Sequence, residues 1–370
     1  MKIVKAEVQK LLADKVISLI IFLSVLANIT VIMSGSSYRS DMKYINNVIA
    51  HAGAKVTKES IASAKNILKK DYKTLENEFA DLFGYFPESV DEIFKYIPDR
   101  AESHQNYMAL LNMIETAQMQ IESDRNDEKD IYFSAECITI VNELLYSKLL
   151  FCIYAELSII GIFVVFKSIG YELGKNTHLC LYSCKIGRSL QKAKLISCFI
   201  FVSIIYIFIC LLCLTVYFLL YSQSSFLLNS LCSVNMSAVT SEYNFTVLGY
   251  LLSHIGVGYA IVVIYLLTAY TIGLLINNQY IGMTALAASQ AIFIAGTGSE
   301  SDFNKMFSYT PVTLLISLNK NVSVNTEKWF LHADGAFSSE SFVIKVLIIW
   351  GIISVIGIAI SNVVFRRRDI

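Results

Sequence analysis

Two ionisable side chains sit in stretches otherwise suited to lipid: Glu156 in the apolar run Leu149–Phe166 and His254 in the run Phe245–Ile276. Charged or titratable groups inside a membrane span are costly, so each implies a partner and a role. Counted from the outer ends of their runs, both lie about 10 Å deep at roughly 1.5 Å per residue. The expectation is a shared cavity in which they pair, with Gln290 of the next run nearby, as part of a substrate path. Elsewhere the signals for chemistry are weak. Gly170–Lys175 reads GYELGK, but a phosphate loop needs four residues between its glycines and a Ser or Thr after its Lys. Here there are three residues, then Asn176, at the end of an apolar run rather than after a strand. Any ATP used must therefore be bound by another chain. His178, Cys180 and Cys184 supply only half of a zinc pattern. Cys152, Cys198, Cys210 and Cys213 fall in apolar runs, where thiols act as small apolar side chains. Only Cys137 and Cys232 fall on the expected outer side, where one disulfide could join them.

The elements that position these groups follow from composition. Apolar residues make up 55% of the 370 and charged residues 16%, against about 25% charge in soluble domains. The mean hydropathy is +0.55. Such a chain cannot bury its apolar surface in one water-soluble core, and 30 basic against 30 acidic residues exclude a basic nucleic-acid binder. A bilayer core of about 30 Å takes roughly 20 helical residues. Six runs meet or approach that length: Val16–Ser34, Leu149–Phe166, Leu195–Tyr221, Phe245–Ile276, Tyr280–Gly296 and Phe342–Phe365. The split between the fourth and fifth rests on Asn277, Asn278 and Gln279.

Basic residues then set direction. Lys2, Lys5, Lys10 and Lys15 precede the first run, six bases lie between Lys167 and Lys194, and Arg366–Arg368 follow the last. The segment Ser222–Asn244 has no Lys or Arg. Positive-inside placement of six spans puts both termini in the cytoplasm. The leader carries Glu7 and Asp14, and its apolar run is too long for a usual signal peptide, so it reads as an uncleaved anchor. Val4, Val8, Leu11 and Leu12 share one helical face of that leader, which suits a helix lying along the inner interface.

Residues 35–147 differ in composition, with 19 acids and 12 bases. Ile61, Ala64, Leu68, Tyr72, Leu75, Phe79 and Leu82 recur at helical steps, and Ser89 with Glu92 reads as a capping box. The segment is expected to be a helical extracytoplasmic domain whose acidity favours cationic peptides. Ile138, Val141 and Leu145 carry its last helix into the second span without a breaker. Between the last two spans, Pro311–Leu318 is apolar but too short to cross, and reads as a re-entrant helix. The expected organisation is 1–34 for the interface helix and first span, 35–147 for the outer domain, and 148–370 for spans two to six with a cytoplasmic loop at 168–194. The fold class is all-α membrane protein.

Three features carry a resemblance: the leader AEVQKLLADK, the loop YELGKNTHLCLYSCKIGRSLQKAKL and the ending VVFRRRDI. Together with six spans they resemble the permease subunits of ABC-2 type (type V) transporters of the bacterial plasma membrane. The loop is similar to that family's E-x-x-G-T segment, Leu pair, Arg and Lys, with Glu172, Gly174, Leu181, Arg188 and Lys194 in those positions. Lys175 stands where the family has Thr, and the large first outer segment departs from the simple members. The resemblance implies that Glu172–Lys194 docks a separate ATPase subunit, which carries ATP and Mg. It further implies two permeases, identical or related, with two ATPases, and no catalytic residue in this chain. The larger outer segment resembles members that move peptides, bacteriocins or amphipathic toxins, for export or self-immunity. A membrane sensor whose outer domain binds a ligand is the alternative. An intramembrane enzyme is disfavoured, because only Glu156 and His254 approach a paired site.

Overall fold

The computed structural model describes residues 2–87, 89–96, 107–108, 110–115, 117–118, 132–133, 140–174, 190–221, 227, 246–276, 278–296, 309–320 and 341–367. Their principal elements are α1 (Lys2–Leu12), α2 (Lys15–Met33), α3 (Ser36–Ala52), α4 (Lys58–Phe83), α5 (Val90–Tyr96), α6 (Phe151–Gly174), α7 (Leu190–Tyr221), α8 (Val247–Leu275), α9 (Gln279–Gly296), α10 (Pro311–Lys320) and α11 (Ser341–Arg367). A π-wound stretch, Ile140–Leu150, runs directly into α6. An isolated antiparallel bridge joins Lys55 to Tyr132.

Among the described residues five helical stretches are long and apolar enough to cross a membrane: Lys15–Met33, Leu144–Glu172, Leu190–Tyr221, Leu248–Leu275 and Val343–Phe365. A sixth, Gln279–Ala295, is apolar but shorter. The chain is an all-α membrane protein. The break between α8 and α9 is made by Asn278, whose Oδ1 accepts from the backbone N–H of Tyr280 at 2.9 Å and of Ile281 at 3.3 Å. A side chain that caps a helix in this way satisfies donors that lipid would leave bare.

By its contacts the chain divides into two compact units. The first comprises Met1–Thr30, Tyr146–Leu214 and Ser253–Ile370. Here α10 packs on α6, α9 and α11 and buries Val312, Thr313, Leu314 and Leu315. Thr310 caps it through the Thr313 N–H at 3.4 Å, and Trp350 donates to the Tyr309 carbonyl at 2.7 Å. The short helix expected at Pro311–Leu318 is therefore present, two residues longer at its end.

The second unit comprises Val31–Leu145 and Thr215–Leu252. Thr57 opens α4 with a reciprocal cap, its side chain accepting from Ser60 N–H while Ser60 Oγ accepts from Thr57 N–H. Gly84 closes it at φ +77°, a left-handed position that a side chain strains. Helices α3 and α4 share a core of Ile45, Val48, Ile61, Ala64, Met113 and Phe133. Farther along α4, Leu75 and Phe79 pack with Ile93 of α5. Ser89 Oγ accepts from the Glu92 N–H at 3.3 Å, one half of the expected capping box. The apolar stripe of α4 ends sooner than its periodicity implied: Leu82 is 66% exposed, because the helix outruns its partners there.

Candidate functional site: a charged junction beside an intramembrane polar seam

Helix α1 is amphipathic, but its protein-facing side is not purely apolar. Of the four residues expected on its interface face, Leu11 is buried in the protein, Val4 and Val8 are partly buried, and Leu12 is exposed. In place of Leu12, the buried face carries Glu7. The reason is electrostatic: Glu7 meets cations. Lys10 Nζ donates to Glu7 Oε1 at 2.5 Å, and the same ammonium lies 5.3 Å over the ring of Tyr171 at the end of α6. One turn of chain later, Asp14 accepts from the N–H groups of Val16 and Ile17, capping α2, and from Lys167 Nζ at 2.7 Å.

Beneath these contacts Glu172, at the end of α6, forms an ion pair with Lys194, at the start of α7. They are only 2% and 1% exposed. Lys194 also donates to the Ser168 carbonyl at 2.6 Å and lies within electrostatic reach of Glu7 and Lys10. A buried ion pair holds only when further hydrogen bonds complete its shell, and the Ser168 carbonyl does so here. Around it, Tyr270 of α8 donates to the Gln191 carbonyl at 3.0 Å. Gly170 lies so close to Gln279 that a Cβ there would meet its Oε1 at 2.3 Å. The ends of α1, α2, α6, α7, α8 and α9 thus meet at one junction, which brackets the loop 175–189.

Asp14 makes this junction pH-sensitive. Burial pushes its carboxyl up, but the bonds from Lys167, Ile17 and Val16 outweigh that and hold its pKa below the ordinary value. A depressed folded pKa gives stability that is complete above about pH 4 and fades as pH falls through the folded value. Asp14→Asn is expected to lower the thermal midpoint of the detergent-solubilised chain at pH 6 and to leave it unchanged at pH 2, measured by circular dichroism.

Glu156 lies in the membrane-compatible stretch, which begins at Leu144, five residues before the expected start. Its carboxylate accepts from Ser24 Oγ and from Asn28 Nδ2 at 2.6 Å, and Asn28 also donates to the Ser24 carbonyl at 2.8 Å. Ser24 and Asn28 lie one turn apart on the buried face of α2. Polar contacts of this kind bind helices to one another where lipid supplies no hydrophobic drive.

His254 belongs to a different group. Its Nδ1 pairs with Tyr154 Oη at 3.1 Å, and the Tyr146 ring stands edge-on to it at 5.0 Å. Tyr154 stacks on Tyr206, which donates to the Ile255 carbonyl at 2.7 Å. Tyr154 and Glu156 are two residues apart, so they project about 200° from each other around α6. Glu156 thus turns to Ser24 and Asn28 of α2, while His254 meets Tyr154 and Tyr146. Gln290, for its part, accepts from Tyr265 Oη at 3.0 Å.

Of the five residues assigned to the coupling segment, Glu172 and Lys194 come together, and they do so inside the protein rather than at a surface. Gly174 ends α6. Leu181 and Arg188 lie outside the described residues, as do Lys175, His178, Cys180, Cys184, Cys137 and Cys232. Sequence reasoning missed Glu7, Ser24 and Asn28. The last two had a signal, being polar residues four apart in an apolar helix. No family model matches the chain, and no curated protein or solved structure matches it either.

Proposed function

We propose that the chain is the permease subunit of an ATP-driven exporter of the ABC-2 type, working with two ATPase subunits and a second permease. The observation that carries this reading is the junction. An exporter of this kind must transmit motion from an ATPase docked on a cytoplasmic loop into its spans. Here residues 175–189 follow α6 and precede α7 in sequence, and Glu172 near the end of α6 is paired with Lys194 near the start of α7. The amphipathic α1 is keyed to the same point through Glu7, Lys10 and Tyr171. A push on the loop or on α1 therefore reaches α6, α7 and α2 together.

In this reading α9 is the sixth crossing. Its 18 residues give about 27 Å at 1.5 Å per residue, close to the bilayer core. The basic flanks then lie in the cytoplasm, residues 35–147 lie outside, and α10 dips into the outer leaflet. The cargo is a peptide or amphipathic compound, an assignment supported by the acidity of residues 35–147.

Purification of the tagged chain from its native membrane tests this. An ATPase subunit is expected to co-elute, and Arg188→Glu to lower its recovery about tenfold, equal to ~1.4 kcal/mol of docking energy. Recovery of a kinase or other signalling protein in place of an ATPase would establish the sensor reading instead.

A further inference from the structure

The end of the α4–α5 hairpin exposes five large apolar side chains side by side. Leu82, Phe86 and Tyr96 are 66%, 64% and 50% exposed, with Phe83 and Tyr85 between them. They are not loose: Phe83 lies 4.6 Å and Tyr85 5.3 Å from the ring of buried Phe79, and Phe83 lies 5.9 Å from Tyr96. Soluble surfaces rarely hold such a rigid aromatic cluster without an occupant.

Charge identifies the occupant. Between Lys73 and Lys95 the sequence has six acids, Glu76, Glu78, Asp81, Glu88, Asp91 and Glu92, and no base. Asp81 and Asp91 are exposed. A second copy would bring like charge against like, and an anionic lipid surface would be repelled. A cationic amphipathic helix would place its apolar side on the aromatics and its lysines on the acids. The tip already makes one such contact with its own chain, since Lys95 Nζ lies 5.6 Å over the Tyr96 ring.

We infer that this tip is a receptor site for cationic amphipathic peptides. The inference rests on the peptide-exporter reading for its purpose, but its geometry and test do not involve the ATPase. The full-length chain in nanodiscs of zwitterionic lipid is titrated into a fluorescein-labelled 18-residue Leu/Lys amphipathic helix, with empty nanodiscs subtracted. Binding is expected, and Leu82→Ser/Phe86→Ser is expected to weaken it about tenfold or more. Asp81→Asn/Asp91→Asn is expected to weaken it as well and to flatten its salt dependence. All four positions are exposed, so the Phe79–Ile93 core is retained, which circular dichroism checks. A Leu/Glu peptide bound as tightly, or affinity unchanged in both variants, overturns the site. So does self-association that the tip variants abolish while peptide affinity stays the same. Loss of the ATPase from the purified chain would remove the exporter reading and leave this titration unchanged, so the two failures are distinguishable.

Discussion

Lys194→Met leaves the Glu172 carboxylate buried without its partner, and the chain is expected to lose about 3–5 kcal/mol of stability. The effect is large because the pair is almost wholly enclosed and water cannot take over the lost ammonium's bonds. Glu172→Gln strands the ammonium in the same way, though the Ser168 carbonyl still accepts one of its protons. The double variant Glu172→Gln/Lys194→Met removes both charges and is expected to recover most of the lost stability, as buried pairs do when replaced together. Thermal unfolding followed by circular dichroism measures all three. The double variant also separates structure from coupling. If the pair transmits motion between loop and spans, the refolded double variant keeps its ATPase but hydrolyses ATP without moving cargo. If the pair only holds the fold, transport returns with stability.

Gly258→Ala carries the second largest expected effect. A Cβ at this position of α8 would lie 2.4 Å from two ring atoms of Tyr154 and 2.6 Å from a third. Tyr154 cannot swing aside, because it is fully buried, stacked on Tyr206 and bonded to His254. Overpacking of this kind costs about 1–3 kcal/mol. Gly256, two residues earlier on the same helix, is the control: nothing lies within 4 Å of its Cβ position. Gly256→Ala is expected to keep or slightly raise the thermal midpoint, since alanine is the better helix former. Equal destabilisation by both changes would show that α8 does not hold Tyr154 as described.

The helices were legible in the sequence because lipid demands length and apolarity and little else. The α8–α9 break could be placed at Asn277–Gln279 for the same reason, since only a capping side chain can end a helix cheaply there. What the sequence hides is which faces meet. Glu172 and Lys194 are 22 residues apart across a loop, and periodicity within one helix says nothing about a partner on another. Glu7 counts in the sequence only as an acid that argues against a signal peptide, and an acid on an amphipathic helix normally faces water. It turns inward only because Lys10 and the Glu172–Lys194 pair are there to receive it. The pairing of Glu156 with His254 was inferred from similar depth. Depth is one coordinate of a helix and azimuth the other, and Tyr154, which bonds His254, and Glu156 are two residues apart and face different ways around α6. Leu82 followed the α4 stripe faithfully, but a stripe does not reveal where the neighbouring helix stops.

The central claim is that residues 175–189 lie in the cytoplasm, where an ATPase can reach them. The chain's own thiols report their side directly. Intact cells are treated with a mild reductant and a membrane-impermeant maleimide, and the labelled cysteines are mapped by mass spectrometry. The account predicts label on Cys137 and Cys232, and on Cys180 and Cys184 only after the membrane is opened. Label on Cys180 or Cys184 in sealed cells would place the loop outside and contradict it.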